Sequence, residues 1–144
     1  MNIQEISPTE ARFSDLMKRV RRLGLETLNS EREASPAQMA LIEWIALNPG
    51  CGVKDISDGI CLAPPTVSIG VKKMEQNGVI ERKPNPSDAR SVQFFLTRRG
   101  QKIFEHHLAF QRRKFQKLLS GLSQQEKNTL IDLLERALQS AEMK

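Results

Sequence analysis

The sequence predicts a mainly α-helical fold with a small β-hairpin wing on a helix-turn-helix core. Three observations carry this prediction. Helix-start chemistry recurs at three places. A short helical segment, a tight turn and a second helix follow one another. The apolar period then changes from helical to alternating just before a long final helical stretch.

The three starts share one logic. Ser7-Pro8-Thr9-Glu10 offers a hydroxyl N-cap, proline at the first helical position and Glu three residues after the cap. Ser35-Pro36-Ala37-Gln38 repeats it, and Ser123-Gln124-Gln125-Glu126 is a third capping box without proline. In each, the hydroxyl accepts from an orphan backbone N–H and the acid or amide reaches back to the N–H of the cap. The first helix is expected to run to about Asn29, with Phe13, Leu16, Met17, Val20 and Leu23 at three- and four-residue steps. A polar tract, Asn29 to Ala34, reads as a loop. The second helix carries Ala37, Ala40, Leu41, Trp44 and Ile45 on one face and stops at Asn48-Pro49-Gly50.

A short helix with Ile56 and Ile60 four apart comes next, with Gly59 near its end. A fourth helix opens at Pro64 or Pro65, carries Val67, Val71 and Met74, and ends at Asn77-Gly78. This pair reads as a helix-turn-helix with Ile56, Ile60, Leu62, Val67, Val71 and Met74 as its core. Val79 to Arg82 is a strand candidate. Lys83 to Asp88 is dense in turn formers, and Val92, Phe94 and Leu96 alternate along a returning strand. Thr97 caps a helix from about Arg98 to Leu119, ~33 Å long at 1.5 Å per residue. Gly121 breaks it, and a last helix reaches about Ala141.

Composition bounds the function. The chain has 144 residues, a net charge of +5 and 39% hydrophobic residues. That is one domain with appended helices, too apolar for a disordered tail. No window approaches the ~18 uninterrupted apolar residues of a membrane helix. Met1 to Thr9 lacks a basic stretch followed by an apolar core, so the protein is expected in the cytoplasm, with no membrane partner. Two cysteines, Cys51 and Cys61, cannot build a disulfide scaffold and read as thiols in a reducing compartment. The charge is concentrated: from Lys72 to Lys117, 12 Lys and Arg stand against 4 Asp and Glu, while the remainder is mildly acidic. Such a block suits either a polyanion partner or a solvated helix face.

The wing block carries a family resemblance. Gly78-Val79-Ile80-Glu81-Arg82, then Asn85-Pro86-Ser87-Asp88-Ala89-Arg90, then Leu96-Thr97-Arg98-Arg99-Gly100 resembles, in its three spaced motifs, the MarR family of bacterial transcription regulators. Thr66-Val67-Ser68 and Met74-Glu75 resemble its recognition helix, and the likeness extends over about residues 8 to 141. The resemblance implies a regulator, with repression as the usual mode, that binds double-stranded DNA as a homodimer on a pseudo-palindromic operator.

Physical reasons stand beside the resemblance. Pro84 and Pro86 stiffen the wing. Arg90 supplies a cation for a narrow minor groove. Asp88 could orient a guanidinium, that of Arg90 or of Arg82, or could pair with Arg90 to staple the hairpin. Arg82, Lys83, Ser87, Asp88 and Arg90 are the wing residues expected to bind DNA. On the recognition helix, Pro65, Thr66, Ser68, Ile69, Lys72 and Lys73 lie opposite the buried stripe, with the lysines placed for phosphates. The family often has Arg where Ile69 stands, and Ser or Arg where Pro64 and Pro65 stand. This helix therefore has few donors for bidentate base reading, and apolar contact to thymine methyls is expected instead.

The expected division is an N-terminal dimerisation helix and loop over 1–34, a winged helix-turn-helix over 35–99 and C-terminal dimerisation helices over 100–144. Leu118, Leu119, Leu122, Leu130, Leu133, Leu134 and Leu138 form a stripe larger than one small core needs, and so an expected dimer interface. The resemblance also implies a small-molecule effector, aromatic or phenolic, in a cleft whose walls could include Phe13, Met17, Trp44, Phe104 and His107. The same residues equally suit plain core. The chain has no tyrosine to bond a phenol. Oxidant-sensing relatives carry a cysteine in the first helix, and this chain has none there. His106 and His107 are adjacent and point ~100° apart on a helix, so no metal site is expected, and no cofactor. No Gly-rich phosphate loop, nucleophile elbow or His–carboxylate–nucleophile set points to an enzyme. The competing reading is a winged-helix module that binds another protein rather than DNA.

Overall fold

The computed structural model describes residues 5–25 and 34–143. The order is α1 (Pro8–Leu25), α2 (Pro36–Leu47), α3 (Val53–Ile60), α4 (Pro64–Gln76), β1 (Ile80–Asn85), β2 (Asp88–Leu96), α5 (Arg98–Leu119) and α6 (Gln124–Glu142). The expected end of the first helix near residue 29, and most of the polar tract after it, lie outside the described residues. The chain forms two compact units, Ser30–Ala109 and Met1–Asn29 with Phe110–Lys144, so α5 contributes to both.

The winged unit is built on α2. Leu41, Ile42 and Ile45 are buried there, with Ile56 of α3, Val67, Val71 and Met74 of α4, and Phe94 of β2. Burying each such side chain contributes roughly 1.5–3 kcal/mol. Ile42 was absent from the face expected for this helix. The helix meets α3, α4 and β2 together, so its buried arc is wider than a single stripe. Ser35 caps it as expected: Ser35 Oγ accepts from Gln38 N at 3.2 Å and Gln38 Oε1 accepts from Ser35 N at 3.0 Å.

Two hydroxyls organise the turns. Ser57, buried on α3, donates to the Leu62 carbonyl and closes the tight turn before α4. The reversal itself falls on Cys61, at φ +55°, rather than on Gly59. Gly59 has another reason: a Cβ there would overlap the Trp44 indole. After α4, Gly78 takes the left-handed conformation, φ +72°. Thr97 Oγ1 then donates to the Gly78 carbonyl at 2.6 Å and accepts from Gly100 N at 3.1 Å, so one side chain caps α5 and ties it to the end of α4.

The hairpin is antiparallel, pairing Ile80 with Leu96, Arg82 with Phe94 and Pro84 with Val92, with an irregularity between Pro84 and Asn85. Both strands are longer than the sequence suggested. Pro84 is tolerated because β1 is an edge and needs no donor on that side. An additional bridge joins Cys51 to Phe94: Phe94 N donates to the Cys51 carbonyl and Gly50 N to the Phe94 carbonyl, both at 2.9 Å. Two residues without alternation gave the sequence no sign of it.

In the helical unit, Ser7 with Glu10 and Ser123 with Glu126 form the two remaining capping boxes. No residue of α6 is buried. Among the described residues, no helix is long and apolar enough to cross a membrane.

Candidate nucleic-acid interface

The recognition helix α4 turns Val67, Val71 and Met74 inward and leaves Pro65, Thr66, Ser68, Ile69, Lys72 and Lys73 exposed. Ile69 is 71% exposed, so its apolar side chain stands in solvent and not in the core. Prolines at the first two helical positions bring no N–H. The orphan donors at this helix end therefore reduce to those of Ala63 and Thr66. The helix start offers a positive dipole end with few competing groups.

The wing assigns its charges unequally. Arg82 is held by Glu75 of α4: Nε donates to both carboxylate oxygens at 3.0 Å and Nη2 to Oε1 at 2.6 Å. Those bonds raise the Arg82 pKa above its ordinary value, so the guanidinium stays charged. It also lies 5.6 Å from the Phe94 ring centroid. Lys83 sits 3.5 Å from Glu81 and 5.0 Å from the Phe95 ring centroid. Among the described residues, Arg90 has no ion-pair partner for its guanidinium.

Asp88 departs from expectation. It orients neither the Arg90 nor the Arg82 guanidinium. Its Oδ1 accepts from the Arg90 backbone N–H at 3.0 Å, while Asn85 Oδ1 accepts from Ser87 N at 2.9 Å. The reason is local: a tight turn leaves amides without ladder partners, and a short Asx side chain two residues earlier reaches them first. The staple expected between Asp88 and Arg90 thus exists, but through the backbone. Asp88 shapes the tip that presents Ser87 and Arg90, both exposed.

Between α3, α4 and the hairpin lies an open cleft of about 520 Å³, bordered by Lys54, Ser68, Asn85, Arg82 and Arg90. Lys54 and Asn85 were not singled out from the sequence. A lone lysine on an eight-residue helix has no periodic signature, and an asparagine in a turn-rich segment has too many ordinary explanations.

The residues considered for a small-molecule cleft fall in both units. Phe13 and Met17 belong to the helical unit, Phe13 exposed and Met17 half-buried. Trp44, Phe104 and His107 belong to the winged unit. Phe104 is packed in its core, so it presents no open wall. His107 Nε2 lies 4.0 Å from Glu43 Oε2. Trp44 borders a shallow cleft of about 650 Å³ with Asp55, Asp58 and Gly59, and shares it with none of the other four. Of the thiols, burial and the Asp55 charge push Cys51 up, while Cys61 is exposed. Among the described residues, no three His, Cys, Asp or Glu gather in metal-binding geometry.

Comparison with known proteins agrees with this geometry. Residues 34–92 match the MarR family. The chain is 30% identical over 93 residues to the HTH-type transcriptional regulator BilQ of Clostridium symbiosum, covering 65% of each chain. It is 24% identical over 139 residues to the HTH-type transcriptional repressor MdtR of Bacillus subtilis, covering 96% of this chain and 89% of that one. Its fold superposes on Streptococcus pneumoniae FabT, solved in complex with DNA, with a TM-score of 0.80 and 25% identity, over 92% and 96% of the two chains. BilQ and MdtR are HTH-type transcription regulators. With the wing motifs, the helix order and these likenesses in agreement, residues 34–92 carry a winged helix-turn-helix of the MarR family of transcription regulators.

Proposed function

We propose that this chain is a homodimeric repressor that binds double-stranded DNA at a pseudo-palindromic operator in the cytoplasm and is released by a small aromatic or phenolic effector. The observation that carries the DNA reading is the uncommitted Arg90 at a rigid wing tip beside an exposed recognition-helix start. Pro65, Thr66, Ser68 and Ile69 would lie in the major groove, Lys72 and Lys73 near phosphates, and Lys83, Ser87 and Arg90 at the flanking minor groove. The FabT likeness supports the docking mode and the MdtR likeness supports repression.

Dimerisation is supported by α6, which buries nothing within its own chain while Leu130, Leu133, Leu134 and Leu138 are 36–57% exposed. Leu118 is exposed beside half-buried Leu119 and Leu122. A contiguous exposed apolar stripe supports reading α6 as an interface. For the effector, a cavity of about 350 Å³ in the helical unit has Leu16, Val20, Leu23 and Leu118 as apolar lining and Arg19 and Arg22 as cations. That chemistry suits an aromatic carboxylate.

The test is duplex selection from a random pool, followed by binding titrations over a salt series, with and without a panel of aromatic acids. Specific, salt-dependent binding that weakens about tenfold in Arg90→Ala, with a shallower salt slope, is expected. A dimer that captures no duplex at low salt would favour the protein-binding module instead. The exposed Ile69, standing where a base-reading cation is common, is the feature that such a module would use.

A further inference from the structure

Arg82 borders the cleft between α4 and the hairpin, yet its Nε and Nη2 already donate to Glu75. The guanidinium donates to Glu75 from Nε, shared between both carboxylate oxygens, and from Nη2, and lies over Phe94, its cross-strand partner. Phe94 is only 2% exposed, so the ring that Arg82 rests on is anchored in the core. Glu75 is the only acidic residue of α4. Its carboxylate sits on a helix whose exposed face is otherwise neutral or basic, where it would repel phosphates if left alone.

The covalent link between recognition helix and wing is short. It consists of Asn77, Gly78 at φ +72°, and Val79. At its base the turn is held by Gly78 N donating to the Glu75 carbonyl at 3.0 Å and Val79 N to the Met74 carbonyl at 2.9 Å. Two sets of bonds flank it. On one side, Arg99 Nη1 donates to the Asn77 carbonyl at 3.0 Å and Thr97 to the Gly78 carbonyl. Further along the hairpin, among the described residues, the side-chain hydrogen bonds from β1 to α4 are those of the Glu75–Arg82 fork.

The geometry points to Glu75 and Arg82 as a positioning pair: the fork sets the wing at a fixed angle to the recognition helix, and Arg82 does not itself contact phosphate. This inference rests on the DNA-binding reading. It reassigns Arg82 from a direct contact to a brace and gives Glu75 a role in recognition despite its charge. Arginine is required because only its planar fork meets both carboxylate oxygens while lying over a ring.

The two roles predict opposite signs. As a brace, Glu75→Gln weakens duplex binding about fivefold, which is ~1 kcal/mol at 1.4 kcal/mol per decade. Arg82→Gln and Arg82→Lys weaken it equally, and the Glu75→Gln/Arg82→Gln double variant is no worse than either single change. The salt slope stays at the wild-type value in all four, whereas Arg90→Ala lowers it by about one contact. Thermal melts should move little, since the Arg82 side chain is half exposed and an ion pair at the surface contributes little to stability. Tighter binding by Glu75→Gln, full activity in Arg82→Lys, or a reduced slope in Arg82→Gln each overturns the inference while leaving the DNA-binding reading intact. A wild-type protein that binds no duplex overturns both.

Discussion

The edge of the Trp44 indole occupies the space that a side chain at position 59 would need. A Cβ placed on Gly59 meets Trp44 Cη2, Cζ2 and Cε2 together, inside van der Waals contact. This contact joins α2 to the end of α3 and explains a glycine that terminates nothing. Gly59→Ala is therefore expected to destabilise the protein by about 1–3 kcal/mol, the usual cost of overpacking. Urea unfolding measures it. A Gly59→Ala protein as stable as wild type would show that the indole is free to move aside.

Burial and the neighbouring Asp55 raise the Cys51 thiol above its ordinary value of 9.0. The folded state thus holds the neutral form longer than the unfolded chain does. The stabilisation is fully present below the unfolded pKa and is lost as pH rises through the folded one. Wild type should lose stability above about pH 9, and Cys51→Val should lose less over the same interval. At neutral pH a thiol reagent should label Cys61 rapidly and Cys51 slowly. Equal rates would contradict the placement of Cys51 in the core.

The last helix offers the opposite sign. Backbone and hydroxyl bonds from Ser123 lower the Glu126 pKa. That contribution is present above the unfolded pKa and fades as pH falls through the lowered one. Glu126→Ala should destabilise the helical unit at neutral pH, and its gap from wild type should narrow in acid. A gap independent of pH would mean that Glu126 takes no part in the cap.

Leu134 lies on the exposed stripe of α6. Leu134→Glu is expected to convert a species of twice the 16.3 kDa chain mass into a monomer, measured by light scattering. A wild-type mass equal to the single chain would refute the dimer before any variant is made. Loss of the dimer should also lower operator affinity, because the two half-sites would then be bound independently.

Sequence alone determined the elements whose cause is local. Ser7, Ser35 and Ser123 announce their helices because a capping box is satisfied within four residues. The wing was legible because proline, Asx and alternation are short-range signals, and the exposed face of α4 followed from its buried stripe. What only the tertiary structure decided is how polar side chains are shared between elements. Asp88 was visible as a partner for a guanidinium, but which donor it would satisfy depended on the amide that the turn left beside it. Arg82 read as a DNA contact until α4 and β1 came together and placed Glu75 within reach. Ile42 and the Cys51 bridge were hidden for the same reason: burial and pairing are set by neighbours distant in sequence. Periodicity records which side of an element is apolar, whereas the pairing of its charges is settled only once another element arrives.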